Sequence, residues 1–166
     1  MTSASTRVEH TPATPATRAP GRRLFSIVTG LAALLVLLQG LWAGIFLEHD
    51  GERDAASSWI EVHARGGEIA LALAVVALVI AWVKLRDRRD LLLGSTALVL
   101  LLVLESYIGG LIADDSKDSL TAIHVPLAMA TMAVAVWLPL RARHADPVAS
   151  RPGTDSRANE STTETS

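Results

Sequence analysis

Two histidines, His63 and His124, are the residues whose type and placing most favour chemistry. Each opens a long apolar run about four residues into a predicted helix, which puts both about 6 Å below the start of that helix. Histidines within apolar helices are costly and usually face the interior of a bundle. On two helices at opposite sides of a bundle, this pair could bind a haem iron from both faces. The alternative is two interfacial histidines bonded to water or to backbone.

Two further polar residues interrupt apolar sequence at greater depth. Glu105 is predicted about 12 Å from its helix end, and Gln39 occupies the equivalent position of an earlier helix. They could hydrogen-bond to each other across the centre, line a cavity or take part in proton transfer. The alternative is a protonated Glu105 bonded to Gln39, which would only link two helices.

Arg65 carries a charge close to the first histidine. Glu68 follows it by three residues, so the two predict a buried ion pair on one helix face. Arg65 is also placed to contact an anionic group at the membrane surface, such as a haem propionate. The alternative is that Arg65 extends to lipid headgroups.

An internal repeat relates these residues. VLLQGLWAGIFL (36–47) matches LVLESYIGGLIA (102–113), and a histidine-opened helix follows each stretch. The repeat predicts two tandem helical hairpins, each contributing one histidine. Its small residues, Gly40 with Gly44 and Ser106 with Gly110, are predicted to bring helix backbones together. Further small residues follow each histidine and would either leave room for a flat macrocycle or allow close packing: Gly67, Ala70, Ala74, Ala77, Ala128, Thr131 and Ala135.

The composition is that of a membrane protein. Hydrophobic residues make up 50% of the 166, and most of the charge lies at the ends and in three short loops. Four apolar runs, at about 24–47, 59–83, 91–113 and 120–138, are each close to the roughly 20 residues that span a bilayer. We therefore predict an all-α, integral membrane four-helix bundle over 23–140. The second helix is expected to start at a capping box of Ser58 and Glu61, and the fourth to stop at Pro139.

The tails and loops predict an orientation. Residues 1–22 and 141–166 are rich in Ser, Thr, Pro and Ala and are expected to be disordered and cytoplasmic. Four basic residues lie in the loop 84–90, whereas the other two loops are acidic, so both termini are predicted on the cytoplasmic side of the plasma membrane. With no cysteine, the chain has no disulfide, thiolate nucleophile or covalent haem attachment through C-x-x-C-H. The expected partner is the lipid bilayer, and no nucleic-acid surface is present.

The motifs Gln-Gly-x-x-x-Gly (39–44), IEVHA (60–64) and TAIH (121–124) resemble one half of the heme A synthase family. In that family two four-helix halves each offer a histidine pair to haem at the outer side of the membrane. The resemblance implies that His63 and His124 are axial ligands, with Glu61 near the carboxylate that precedes the first histidine. The chain is also similar to short four-helix bacterial membrane proteins of unknown function.

Three hypotheses follow from the sequence. The first is a small membrane protein that binds haem b through His63 and His124, with Arg65, Gln39 and Glu105 around the site, and that serves electron transfer or haem handling. The second is a cofactor-free membrane protein that associates with itself or with a larger complex, such as a respiratory-chain membrane protein. The third is a half-sized, synthase-like enzyme working as a homodimer.

Overall fold

The protein is helical throughout the residues that the computed structural model describes, which are 20–47, 53–115 and 118–144. The helices are α1 (Pro20–Leu47), α2 (Arg53–Lys84), α3 (Arg89–Asp115), a short 3-10 helix (Asp118–Leu120) and α4 (Thr121–Arg143). Four of them hold segments long and apolar enough to cross a membrane: Pro20–Ile45, Ser57–Lys84, Arg89–Ala113 and Thr121–Arg143. The predicted all-α, multi-pass membrane fold is confirmed at this level.

The four long helices form a closed ring of neighbours. Within the described residues α1 packs against α2 and α4, and α3 packs against the same two helices, while no Cα atoms of a diagonal pair come within 8 Å of each other. Neighbouring helices are antiparallel: Gly21 of α1 lies beside Lys84 of α2, and Gly94 of α3 lies beside Trp137 of α4. The histidine-bearing helices α2 and α4 therefore face each other across the bundle diagonal.

The core is built largely from small side chains. Ala70, Ala74 and Ala77 of α2 are fully buried, as is Ala135 of α4. Their small volume lets the backbones of neighbouring helices approach closely, which is a main source of packing energy where lipid replaces water. Below the level of the histidines, these predicted small faces therefore serve as packing surfaces.

Buried hydroxyl groups in this core bond to their own helices. Thr29 donates to the Phe25 carbonyl at 2.8 Å, and Ser95 donates to the Leu91 carbonyl at 2.7 Å. Thr131 bonds in the same way, to a carbonyl four residues earlier at 2.9 Å. Such local bonds satisfy the hydroxyl groups without linking helices.

Two glycines mark the closest helix contacts, and neither belongs to the pairs predicted for that role. A Cβ on Gly66 would collide with the Gln39 amide and the Trp42 ring of α1, and one on Gly94 would lie 2.6 Å from the Trp137 ring of α4. The prediction for Gly40 with Gly44 and for Ser106 with Gly110 is wrong. Gly40, Gly44 and Ser106 are exposed, and a Cβ on Gly40, Gly44 or Gly110 would meet no atom within 4 Å.

Two predicted helix ends are also wrong. α2 begins at Arg53, so Ser58 lies inside the helix and does not cap it. The residues between them include two alanines, which favour continued helix. α4 continues through Pro139 to Arg143, because a proline removes one backbone bond and a membrane helix in a bundle tolerates that loss.

A buried arginine closes the end of the bundle that holds the α2–α3 turn. Arg88, 8% exposed, makes two bonds to the Asp90 carboxylate, at 3.1 and 3.0 Å. It also donates to the backbone carbonyls of Arg141 and His144 at the end of α4. These bonds satisfy carbonyls that the helix leaves without a partner and so help α4 to extend beyond Pro139.

Candidate functional site

The four polar residues predicted at the centre gather at one end of the bundle. His63 lies six residues after Ser57, where its span begins, and His124 lies three residues after Thr121. Gln39 lies six residues before Ile45, where its span ends, and Glu105 lies eight residues before Ala113. At about 1.5 Å per residue, all four are within about 12 Å of the span ends. Because neighbouring helices are antiparallel, these ends belong to the same side of the molecule.

His63 is held by the helix that precedes it. Its Nδ1 lies 3.2 Å from the backbone carbonyl oxygen of Gln39. If Nδ1 carries the proton, it donates to this carbonyl, and the lone pair is then on Nε2. Binding a metal through one ring nitrogen while the other donates to a carbonyl is the usual arrangement of a histidine ligand.

The Gln39 side chain fixes the same contact from a second direction. With its amide oriented to satisfy both of its ends, the nitrogen donates to the His63 carbonyl at 2.7 Å and to Nδ1 of His63 at 3.0 Å, and the oxygen accepts from the Gly67 N–H at 3.1 Å. Nδ1 of His63 therefore has both a donor and an acceptor of Gln39 beside it. His63 and Gly67 are four residues apart, so the amide joins the two backbone groups of one helical rung. Gly66 lies between them and has no side chain to obstruct the approach.

His124 has the corresponding relation to Glu105. Its Nδ1 lies 2.6 Å from Oε2 of Glu105, which is ion-pair distance, and the two side chains are only 21% and 11% exposed. The ring is not turned so that an N–H would point along this line, and Nδ1 makes no hydrogen bond within the part of the chain that the structure describes. A small rotation of the imidazole would make the bond, because the two atoms are already close enough.

Glu105 also keeps an acceptor without a partner. Its other oxygen, Oε1, is buried and receives no hydrogen bond from any described residue. An unpaired buried carboxylate oxygen is costly, so this atom favours a hydrogen-bond donor from outside the described chain. The site thus combines a neutral amide partner for one histidine with an acidic partner for the other.

The pairing differs from one predicted alternative. The amide of Gln39 bonds to His63 and Gly67, Oε2 of Glu105 lies against His124, and Oε1 has no partner among the described residues, so these contacts do not include the predicted bond across the centre. Each bonds or pairs with the histidine of the helix that follows it. The two histidine–partner pairs are close enough to influence each other, since the His63 ring interacts electrostatically with both His124 and Glu105.

Arg65 lies away from this cluster. Its guanidinium donates to Oε2 of Glu68 at 3.0 Å, which confirms the predicted contact. The prediction that this pair is buried is wrong: the two side chains are 67% and 64% exposed on the outer face of α2. Arg65 and Glu68 follow His63 by two and five residues, which at 3.6 residues per turn places both side chains far around α2 from His63. The contact of Arg65 with a haem propionate stays a prediction.

A glycine lies close to each histidine. Gly67 lies one turn below His63, and a Cβ there would meet no atom within 4 Å. On the other side, a Cβ on Gly109 would be in ordinary van der Waals contact with Cε1 of His124, at 3.6 Å, so the ring lies against glycine backbone. Of these two positions, only Gly67 has open space beside it.

The donor set is small. Among the described residues there is no group of three or more His, Asp or Glu side chains placed to hold a metal ion. A haem iron takes four nitrogen ligands from its own macrocycle and one or two more ligands from the protein. Two histidines on the diagonal helices α2 and α4 are a donor set of that size.

Sequence reasoning identified these residues but missed how they pair. The signal was present in the repeat, because Gln39 and Glu105 occupy equivalent positions and a histidine follows each. Equivalent residues should make equivalent contacts, which predicts Gln39 with His63 and Glu105 with His124. The role of Gly66 left no signal, since one glycine of an adjacent pair cannot be told from the other without the helix register.

Comparison of the chain with known protein families, with curated proteins and with solved structures finds no match.

Proposed function

We propose that this protein is a small membrane protein that binds b-type haem between α2 and α4, with His63 and His124 as the two iron ligands. The proposal rests on the similar positions of the two histidine rings. Each has its Nδ1 against an acceptor of the preceding helix, at 3.2 Å for His63 and 2.6 Å for His124, at the same end of the bundle. With the proton of each ring on Nδ1, directed at these oxygens, both Nε2 atoms would be the ligating nitrogens.

Bound there, haem would supply one-electron chemistry, which suits electron transfer or haem handling. The chain's own residues would hold and orient the ligands. The Gln39 carbonyl and, after a small rotation of the His124 ring, the Glu105 carboxylate would set the ring directions, and the amide of Gln39 ties the first histidine's helical turn to α1. The packed alanines Ala70 and Ala74 close the site from below and exclude water.

The proposal extends to orientation. The two hairpins, α1–α2 and α3–α4, would be tandem copies related by a pseudo-twofold axis along the membrane normal. The basic α2–α3 turn and both termini would be cytoplasmic, and the histidine end would face outward across the plasma membrane. The resemblance to half of the heme A synthase family agrees with a haem site at the outer side. Electron partners would be other membrane proteins, such as members of a respiratory chain.

One observation favours a cofactor-free protein instead. The faces predicted to leave room for a macrocycle are packed against other helices at Ala70, Ala74, Ala77 and Ala135. In this second function the small residues serve helix association only. His63 and His124 would then be internal hydrogen-bonding groups that join each helix to its predecessor.

The absorbance spectrum of the purified protein separates the two functions. The full chain is expressed with ample haem and purified in detergent, and haem binding predicts a Soret band that His63→Ala and His124→Ala each weaken or remove. His144→Ala is the matched control, because His144 is exposed at the opposite end of the bundle. Absence of the band in the unmodified protein, or a band unchanged in both site variants, overturns the proposal.

A further inference from the structure

The outer face of α2 carries an ion pair where a lipid-facing surface should be apolar. Arg65 and Glu68 lie eight and eleven residues into the span Ser57–Lys84, about 12 and 16 Å along the helix. Their side chains are 67% and 64% exposed. The other exposed charged side chains that the structure describes within spans lie nearer to a span end.

The Arg65 side chain does not simply extend to the lipid headgroups, because it contacts a deeper residue. Arginine near the end of a span usually reaches outward to water. Here the Arg65 guanidinium is instead 3.0 Å from Glu68, the deeper of the two residues. A charged pair kept within the span is stabilised when a polar surface covers it, which lipid tails do not provide.

The residues in line with the pair have the spacing of a helix–helix seam. Exposed positions alternate four and three residues apart along this face, as in a coiled coil. They are Glu61, Arg65, Glu68, Ala72, Val75 and Val79. Below the charges the seam is small or β-branched, so a second helix can approach it closely.

We propose that this face of α2 binds the same face of a second copy, with the two α2 helices parallel about a twofold axis along the membrane normal. One face of α2 carries both signs of charge and can pair with the same face of a second copy. Arg65 lies between two carboxylates, Glu61 and Glu68, and interacts with both. In a parallel pair each seam residue faces its own copy across the axis, and each Arg65 fits between Glu61 and Glu68 of the other copy. A twofold contact of this kind covers this face on both copies, so the assembly stops at a dimer.

The absence of cysteine from the chain provides a direct test. Ala72→Cys places one thiol at the middle of the proposed seam, and mild oxidation of membranes holding the full-length protein would join two copies. The control is Leu100→Cys on α3, which is 64% exposed. Its depth matches, since Ala72 is 12 residues before Lys84 (84 − 72) and Leu100 is 11 after Arg89 (100 − 89). The expected product is a disulfide dimer for Ala72→Cys, at several times the yield for Leu100→Cys.

Charge reversal tests the pairing itself. In the Ala72→Cys background, Arg65→Glu alone and Glu68→Arg alone should each lower the dimer yield about fivefold, the scale of a polar contact between membrane helices. Co-expression of the two variants should restore the yield, because one seam is then negative and the other positive. Equal yields for Ala72→Cys and Leu100→Cys, a product that is not twice the mass of the chain, or no recovery on mixing would overturn the proposal. None of these outcomes depends on haem, so the test is independent of the proposed function.

Discussion

At the scale of single residues, the two histidines differ in the chemistry of their partners. His63 is held by a carbonyl and a neutral amide of Gln39, whereas His124 lies against the carboxylate of Glu105. A carboxylate makes a ligating imidazole more basic than an amide or a carbonyl does. The residues themselves could be selected from sequence because polar groups in apolar helices are rare and costly. Their partners could not, because pairing depends on which helix faces meet.

Gln39→Ala should lower the free energy of unfolding. The change removes the side-chain bonds to the His63 carbonyl and the Gly67 N–H, at a cost of about 1 kcal/mol. Unfolding in mixed micelles measures the effect. Leu37→Ala is the control, since Leu37 is on the same helix and 57% exposed. Equal stability of the two variants would mean that the Gln39 amide does not link α1 to α2.

Glu105→Leu should weaken haem binding more than Glu105→Gln does. Glutamine keeps an oxygen beside Nδ1 of His124, whereas leucine leaves that nitrogen without an acceptor. Loss of an outer partner of a metal ligand typically lowers affinity by about tenfold or more. Haem titration of the three proteins gives the comparison. Identical affinities would contradict a positioning role for Glu105.

At the scale of helices, apolar run length predicted the four spans, but not where the helices end or which glycines form contacts. Pro139 looked like a stop signal, yet the buried Arg88 bonds to carbonyls beyond it and α4 continues. Gly66 and Gly67 are identical letters, and only the register of α2 against α1 separates their roles. Such features come from packing between helices, which a single sequence does not specify locally.

The adjacent glycines give a paired prediction. Gly66→Ala should destabilise the bundle by about 1 to 3 kcal/mol, because its Cβ would collide with the Gln39 amide and the Trp42 ring. Gly67→Ala should be neutral or stabilising by up to about 1 kcal/mol, because its Cβ meets open space and alanine favours helix. Thermal unfolding in detergent ranks the two variants. The reverse order would show that α1 and α2 pack in a different register.

At the scale of the whole molecule, the structure is a ring of four antiparallel helices with an arginine-held end and a histidine end. Composition predicted the helical, membrane-spanning character, because half of the chain is hydrophobic and long apolar runs cross a membrane as helices. The prediction of disordered tails over 1–22 and 141–166 is wrong at their inner ends, because α1 begins at Pro20 and α4 continues to Arg143. The rest of both tails, 1–19 and 145–166, lies outside the described residues. Which end of the bundle faces the cytoplasm stays a prediction, made from the basic and acidic loops.

Thiol labelling tests that sidedness. We expect an impermeant maleimide to label Gly51→Cys, in the acidic loop, on intact cells and to leave Ser156→Cys, in the C-terminal tail, unlabelled until the cells are opened. The reason is the basic loop around Arg86 and Arg89, which should stay in the cytoplasm. Labelling of Ser156→Cys alone on intact cells would reverse the orientation and place the histidine end inside.

The spin state of the ferric haem complex tests the central claim most directly, because it reports whether both histidines bind the same iron. Electron paramagnetic resonance of the purified full-length protein should give a low-spin signal, as expected for two imidazole ligands. His63→Ala and His124→Ala should each convert bound haem to a high-spin form, while His144→Ala should leave the signal unchanged. A low-spin signal that survives in both site variants would contradict a haem held between α2 and α4.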